Sequence, residues 1–368
     1  MTITVEPADP PISIASAPQA DDRHEQVVVR QDPATGMRLI VAVHSTVLGP
    51  ALGGLRLLAY PGGLRDAFDD VLALARTMTL KASAAGLDLG GGKAVMIDDG
   101  EEGLRRRRFE EAALVVDSLA GAYITAEDIG TTTADMDVMA ERTPYVVGRS
   151  RDRGGFGDPS PTTAATVFGS IRRGLLAALG SGDLEGRRIG VVGLGKVGGV
   201  LAARLAAAGA RVLATDLHAE RVERFADEHG GEPVASGEEL LGRDLDVLAP
   251  CAAGGLVDEE VAAAIDCRVV CGAANNPLSS RSAAHRLAAR EVLYVPDFLA
   301  NCGGLIHVDA ERRGAAPAAV AEAVERAMTH LDEALAVAGE GWETPVEAAE
   351  RQALERVERV RRAALAAA

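Results

Sequence analysis

The sequence predicts an α/β protein with two domains: an N-terminal α/β domain and a C-terminal doubly wound parallel sheet. The length of 368 residues is sufficient for two domains with separate cores. Residues 148–161 are rich in Gly, Pro, Asp and Ser, which is typical of a domain boundary. Beyond it, strands alternate with helices, and a glycine-rich turn follows the first strand. We therefore expect one domain over residues 23–152 and a second over 153–338.

Residues 1–22 contain four prolines and predict a flexible tail, because they lack the basic start and apolar run of a secretory signal. The first domain is expected to begin with strands at 25–29 and 38–43, joined by a hairpin turn at 32–36. Residues 48–56 are rich in small side chains and predict a loop suited to lining a site.

Two lysines that stand twelve residues apart form the most informative stretch. A helical pattern of apolar residues over 68–78 leads to Lys81, and the glycine run 90–92 precedes Lys93. Glycine lets the backbone approach a ligand closely, and residues 95–97 then predict a strand. In a dry cleft, two ammonium groups would each favour deprotonation of the other. One could pair with a bound carboxylate while the other acts as a base; two surface lysines flanking a loop are the alternative.

A pair of adjacent carboxylates follows further along the first domain. A helix is predicted at 105–119 and a strand at 123–126, which delivers Glu127 and Asp128 into a loop of glycine and threonine. Because adjacent side chains of an extended segment point to opposite sides, only one of the two is expected to face a cleft. On the residues alone, a Glu-Asp pair before a turn usually caps the turn or is solvated.

The second domain is predicted to begin with a helix at 162–179 and a strand at 187–192. A turn of GxGxxG type follows: Gly193, Leu194, Gly195, Lys196, Val197 and Gly198. A helix at 200–208 and a strand at 211–215 come next, and Asp216 ends that strand 23 residues after Gly193. This order is the Rossmann dinucleotide fingerprint.

The glycines of the fingerprint let the pyrophosphate of a dinucleotide approach the helix N-terminus. Exposed N–H groups and the helix dipole favour negative charge there. Asp216 can accept hydrogen bonds from ribose hydroxyls and would repel a 2′-phosphate, which favours NAD over NADP. We assign the six turn residues, Asp216 and Thr163 to the cofactor site. A strand-turn-helix without nucleotide is the alternative.

The rest of the second domain completes the sheet. Strands are predicted at 246–249, 268–271 and 292–295, followed by loops at 250–253, 272–276 and 297–304. Such loops lie at the carboxyl edge of the sheet, where ligands bind. Helices are predicted at 318–335 and 347–366.

Composition excludes several classes of partner. The formal charge of −16 argues against nucleic acid and anionic membranes, which require basic patches, and no apolar run is long enough to span a bilayer. The four cysteines are Cys251, Cys267, Cys271 and Cys302. They do not form a zinc-type spacing with histidine, so we predict no metal site and expect reduced thiols in a cytoplasmic protein.

Three motifs resemble the signatures of the Glu/Leu/Phe/Val amino-acid dehydrogenase family. They are Met78-Thr79-Leu80-Lys81, Gly90-Gly91-Gly92-Lys93-Ala94-Val95 and Thr125-Ala126-Glu127-Asp128-Ile129-Gly130-Thr131-Thr132. The match runs in order from about His24 to the C-terminus and is closest to the branched-chain (valine and leucine) dehydrogenases. It implies reversible, NAD-dependent oxidative deamination of a branched-chain L-amino acid to its 2-oxo acid and ammonia. It also implies a first domain that binds substrate and forms a homo-oligomer, with residues 339–368 packing back on it.

The resemblance also implies residue roles. Lys81 would hold the substrate carboxylate, Lys93 in its neutral form would activate the attacking water, and Asp128 would shuttle protons to and from the amine. The remaining substrate-site residues are Gly53, Gly54 and Asn275, with Leu52, Leu305 and Val308 around the substrate side chain. Asn275 is also assigned to the cofactor site, although a buried asparagine can instead brace a loop.

The chain departs from the branched-chain pattern near these residues. Leu80 and Ala82 flank Lys81 where Tyr and Asn are common, Leu55 replaces Thr before Arg56, and Cys302 replaces an alanine. These changes keep the charged residues and bear on efficiency and substrate preference. Phenylalanine dehydrogenase is therefore an alternative, and an NAD-binding regulatory protein with a degenerate active site is an alternative of a different class.

Overall fold

The computed structural model describes residues 23–252, 254–336 and 343–367, so the tail predicted at 1–22 lies outside the described residues. The first part of the chain forms a five-stranded sheet in the order β1-β2-β4-β3-β5. Its strands are β1 (Gln26–Asp32), β2 (Met37–Ser45), β3 (Ala51–Leu58), β4 (Gly90–Ile97) and β5 (Tyr123–Glu127). Its helices are α1 (Leu64–Ala84), α2 (Arg105–Ser118) and α3 (Thr133–Ala140), with a short 3-10 helix at Glu102–Leu104.

The second part forms a six-stranded sheet in the order β11-β10-β9-β6-β7-β8, paired in parallel throughout. Its strands are β6 (Arg188–Val192), β7 (Arg211–Thr215), β8 (Glu232–Pro233), β9 (Val247–Pro250), β10 (Val269–Val270) and β11 (Leu293–Tyr294). The strand order reverses between β6 and β9, as in a doubly wound nucleotide-binding sheet. The predicted fold class is confirmed.

The helices of the second part surround this sheet and continue to the C-terminus. They are α4 (Ser160–Leu179), α5 (Lys196–Ala207), α6 (Ala219–His229), α7 (Gly237–Leu241), α8 (Glu259–Ala264), α9 (Arg281–Ala289), α10 (Asp297–Ala300), α11 (Gly303–Arg312), α12 (Pro317–Ala336) and α13 (Pro345–Ala367). A 3-10 helix at Arg151–Arg153 precedes α4. Within the described residues, no helix is long and apolar enough to cross a membrane.

The first sheet is buried on both faces because side chains of β2 alternate between two layers. Leu39 and Val41 join a core with α2 and α3, whereas Ile40 and Ala42 join a second core with α1. The almost unbroken apolar sequence of β2 follows from this double burial.

The loop predicted at 48–56 is wrong for most of its length, because β3 begins at Ala51 and pairs in parallel with both β4 and β5. The strand predicted at 95–97 is longer than expected, since β4 begins at Gly90 and includes the glycine run. These glycines serve close packing: a Cβ on Gly53 would lie 1.8 Å from the Gly92 carbonyl oxygen, and one on Gly91 would lie 2.1 Å from the Thr79 nitrogen. Glycine in a strand often marks such an approach.

The C-terminal helices hold the end of α1, where Lys81 lies in the last turn. The Ser83 hydroxyl donates to the Ala353 carbonyl of α13 at 2.7 Å, and His330 of α12 contacts the Ala84 carbonyl at 2.7 Å. Arg356 of α13 donates to the Leu87 carbonyl at 2.7 Å. The helix that carries Lys81 is therefore fixed from the far end of the chain.

We predict that Gly91→Ala destabilises the protein by about 1–3 kcal/mol, because α1 must move away from β4 to admit the methyl group. The measurement is the free energy of unfolding in denaturant. Gly237→Ala is the control, since a Cβ there meets nothing within 4 Å and should leave stability nearly unchanged. Equal stability of the two variants would contradict the packing argument.

Candidate active site

Three charged side chains from adjacent strands of the first sheet come together. Lys93 lies on β4, Asp128 directly follows β5, and Arg56 lies on β3, the strand between them. The Lys93 Nζ is 2.7 Å from Asp128 Oδ2, and the Arg56 Nε donates to the same oxygen at 3.1 Å. Lys93 is buried, with 5% of its surface exposed.

The environment of Asp128 keeps its carboxylate ionised. Burial would raise its pKa, but the charges of Lys93 and Arg56, with a hydrogen bond from Lys93, hold the pKa below its ordinary value. The group is therefore anionic in the resting site and can accept a proton only when this electrostatic balance changes.

Arg56 also reaches outward, to a second carboxylate. Its NH1 group donates to Asp70 Oδ2 at 3.0 Å, and the Tyr60 hydroxyl donates to the same oxygen at 2.5 Å. The guanidinium thus lies between two carboxylates, with Asp128 on the site side. Burial alone would lower the pKa of Arg56, but Asp128 and Asp70 raise it.

Lys81 contacts the second part of the chain. Its Nζ donates to Asn275 Oδ1 at 2.9 Å, and Asn301 Nδ2 donates to the same oxygen at 3.0 Å. Burial lowers the pKa of Lys81; Asp297 and Cys302 oppose this, whereas Lys93 adds to it. A carboxylate bound between the two lysines would favour the charged form of Lys81.

The glycines of β3 let Asp128 come close to the sheet. A Cβ on Gly54 would lie 2.7 Å from the Asp128 Cβ and 2.8 Å from the Glu127 carbonyl oxygen. The Gly53 carbonyl accepts a hydrogen bond from the Tyr123 hydroxyl at 2.6 Å. Both glycines assigned to the substrate site therefore contribute through close approach of the backbone.

The three apolar residues assigned to the substrate side chain lie in one hydrophobic cluster. Leu52 comes from β3, and Leu305 and Val308 come from α11. All three are buried, so this large core includes residues from both parts of the chain.

The glycine turn lies between β6 and α5, as predicted, although α5 begins at Lys196 and not at residue 200. Gly193 has a φ of 100° and leaves room for the loop after β9. A Cβ on Gly193 would lie 2.9 Å from the Cβ of Ala252 in that loop. A Cβ on Gly198 would lie 2.0 Å from the Gly193 carbonyl oxygen. A Cβ on Gly195 meets nothing within 4 Å, so open space lies at the α5 N-terminus.

Asp216 at the end of β7 closes this turn. It accepts hydrogen bonds from the Leu194 N–H at 2.6 Å and the His218 N–H at 2.9 Å. Burial would raise its pKa, but these bonds and the charge of Arg221 lower it. A partly buried anion beside an open helix N-terminus fits a dinucleotide with a free ribose diol.

The remaining cofactor-site assignments lie nearby. Thr163 is in the first turn of α4, and a Cβ on Gly304 would lie 3.0 Å from its hydroxyl oxygen. Val197 packs against the main core. Lys196 instead extends across to the first part of the chain, where its Nζ donates to Glu127 Oε1 at 2.9 Å.

The two adjacent carboxylates therefore have different partners. Glu127, at the end of β5, pairs with Lys196, whose side chain is 69% exposed, whereas Asp128 pairs with the buried Lys93.

Two contributors were not assigned from the sequence: Arg56, which contacts Asp128, and Asn301, which contacts Asn275. Arg56 could have been found from its position at the end of the small-residue stretch 48–56, which also contains Gly53 and Gly54. The departures Leu55, Leu80, Ala82 and Cys302 are all buried core positions. Burial raises the pKa of the Cys302 thiol to about 12, which keeps it protonated near Lys81.

Within the described residues, no group of three or more His, Cys, Asp and Glu side chains is arranged to hold a metal ion. A doubly wound sheet with an open glycine turn, facing a buried lysine–aspartate pair, defines the class: a two-domain nucleotide-dependent oxidoreductase.

Comparison with known proteins specifies the family. The family of Glu/Leu/Phe/Val dehydrogenases matches at residues 24–145 (its dimerisation domain) and at 215–364. The NAD-binding domain of D-isomer specific 2-hydroxyacid dehydrogenases matches at 170–253, which covers the glycine turn. The chain belongs to the Glu/Leu/Phe/Val dehydrogenase family, as the motifs predicted.

Individual relatives agree. Valine dehydrogenase of Streptomyces virginiae is 44% identical over 79% of this chain and 82% of the relative. Leucine dehydrogenase of Geobacillus stearothermophilus is 37% identical over 92% of each chain. Among solved structures, L-tryptophan dehydrogenase from Nostoc punctiforme has a TM-score of 0.79 at 32% identity, covering 93% of this chain and 98% of that one.

We predict that Gly54→Ala lowers the dehydrogenase turnover number at least tenfold while the protein stays folded, since a displacement of about 1 Å can reduce rates about a hundredfold. The added methyl group must push the loop that carries Asp128 away from Lys93. Initial rates at saturating substrate give the effect, with Gly237→Ala as the control. Unchanged turnover in Gly54→Ala would show that this loop can move without loss of function.

Proposed function

We propose that the protein catalyses the reversible, NAD-dependent oxidative deamination of branched-chain L-amino acids to 2-oxo acids and ammonia. The observation that carries this proposal is the buried Lys93–Asp128 pair, 2.7 Å apart, in a chain similar to valine and leucine dehydrogenases. Phenylalanine dehydrogenase is not favoured, because the similar proteins are named valine and leucine dehydrogenases. A degenerate regulatory protein is not favoured, because the site retains its charged residues.

The cofactor is NAD, and the residues present fit it. Residues 193–198 would receive the pyrophosphate, with Gly195 leaving space at the N-terminus of α5. Asp216 would accept hydrogen bonds from the ribose hydroxyls. When bound, NAD supplies the acceptor for the hydride that leaves the substrate Cα.

The substrate carboxylate is assigned to Lys81. Its ammonium lies in the last turn of α1 and is bonded to Asn275, so the two parts of the chain both contact this end of the substrate. An incoming carboxylate provides the anionic partner that a buried ammonium requires.

Lys93 and Asp128 are assigned to proton transfer. After the imine forms, neutral Lys93 takes a proton from the water that attacks the imine carbon. Asp128 then carries protons to and from the departing amine. A buried site that excludes bulk water favours both steps, because it strengthens the interactions among these groups.

The larger organisation follows the same proposal. Residues 23–152 form the substrate-binding and oligomerisation domain, residues 153–338 the NAD-binding domain, and residues 339–368 return to the first domain. The match to a dimerisation domain at 24–145 supports a homo-oligomer. The four cysteines are free thiols, which is consistent with the cytoplasm as the site of action.

Lys93→Ala should lower the turnover number by about 10²–10⁴-fold with NAD binding retained, because a general base contributes about that much. Steady-state rates and NAD titration by fluorescence separate the two effects. A variant that keeps more than roughly a tenth of the wild-type rate would remove Lys93 from the proton-transfer steps.

Asp216→Ser should narrow the preference for NAD over NADP by relieving repulsion of the 2′-phosphate. The measurement is the ratio of kcat/KM for the two cofactors. Glu220→Ser is the matched control, since Glu220 is an exposed carboxylate that contacts His218 in the same segment. Equal use of both cofactors by the wild type would contradict the role given to Asp216.

Valine and similar short branched amino acids should give the highest kcat/KM, followed by leucine and isoleucine, with phenylalanine poor. Leu52 and Leu305 occupy space in the side-chain pocket that smaller residues would leave open for a larger substrate. The preference should be graded, because one methylene changes the discrimination between substrates by only about 1–3 kcal/mol. The double variant Leu52→Gly, Leu305→Ala should shift activity toward phenylalanine. A wild type that prefers phenylalanine would overturn this pocket assignment.

A further inference from the structure

We propose that Arg56 is a positioning residue: it is the permanent counter-ion of Asp128, and its charge allows Lys93 to lose its proton in the buried site. This inference rests on the proposed function, in which Lys93 acts in its neutral form. It assigns a role to the cation on β3, between the strand that carries Lys93 and the strand that precedes Asp128.

The need for a second cation follows from the Lys93–Asp128 distance of 2.7 Å. If Lys93 were the only cation in contact with Asp128, loss of its proton to solvent would leave Asp128 as an unpaired anion in a mostly buried position. Such an unpaired charge is unfavourable. The carboxylate would then hold the proton on Lys93. Arg56 contacts the same oxygen, Oδ2, at 3.1 Å, so Asp128 keeps a cationic partner after Lys93 becomes neutral.

Arginine suits this role better than lysine. The guanidinium does not lose its proton in proteins, and its planar fork fixes the direction of each hydrogen bond. In Arg56, Nε points to Asp128 and NH1 points to Asp70. Tyr60 donates to Asp70 at 2.5 Å and so helps to fix the outer end of the fork.

The charges around Asp128 determine whether a substitution favours or opposes protonation at the site. Lys93 contacts it from β4, Arg56 from β3, Lys81 interacts with it from α1, and Tyr123 faces it from β5. Asp70 lies behind Arg56 and offsets part of its charge. Removing Arg56 therefore favours the protonated form of Lys93, whereas removing the charge of Asp70 disfavours it.

The test is the pH dependence of kcat/KM for amino-acid deamination in three variants of the full-length protein. In Arg56→Met, the acid limb should move to higher pH by about one unit, because Lys93 loses a nearby like charge that disfavours its protonated form. In Arg56→Lys, which keeps the charge, the limb should move much less, although turnover falls. In Asp70→Asn, the limb should move in the opposite direction by a few tenths of a unit.

Arg108→Met is the control, because Arg108 is a buried arginine that pairs with Asp99 in the same part of the chain. It should lower stability without moving the profile. If Arg56→Met does not fold, Asp70→Asn decides the question by the direction of its shift. Unshifted profiles in Arg56→Met and Asp70→Asn, or a shift of Asp70→Asn to higher pH, would overturn the role of Arg56. Failure of the proposed function would differ, since the wild type would then oxidise no amino acid with NAD.

Discussion

The contact of Lys93 and Arg56 with one oxygen of Asp128 is the interaction on which the site depends. It places three charges on or beside β3, β4 and β5, in a position that is largely shielded from water. Breaking a buried ion pair typically costs about 3–5 kcal/mol, because the remaining charge is left unpaired. Asp128 is therefore held between the two cations, and each cation has its anionic partner before any ligand arrives.

Close packing around the charges follows from this arrangement. Gly54 leaves the space that Asp128 fills, and Gly91 lets α1 approach β4 so that Lys81 lies near Lys93. The C-terminal end of α1, which carries Lys81, is then fixed by α12 and α13. The second part of the chain completes the cleft through Asn275, which contacts Lys81, and Lys196, which contacts Glu127.

The sequence was sufficient for five of the six strands in the sheet of the second part, because these strands, the turn and Asp216 obey a regular spacing; the two-residue β8 was not predicted. It was insufficient for β3 and β4, where glycines that serve close packing resemble a loop. Lys81, Lys93 and Asp128 could be named from the family motifs. The roles of Arg56, Asn301 and Glu127 depend on contacts between residues far apart in the chain, and local spacing carries no signal for such contacts.

The most direct test of this account is the titration of the Asp128 carboxyl group, followed by its ¹³Cγ NMR shift in protein labelled at aspartate. The resonance can be assigned by comparison with Asp128→Asn. Because Lys93 and Arg56 oppose the effect of burial, the group should stay ionised below the ordinary aspartate pKa of about 3.9. Titration above that value would contradict the account, since burial would then dominate over the two cations.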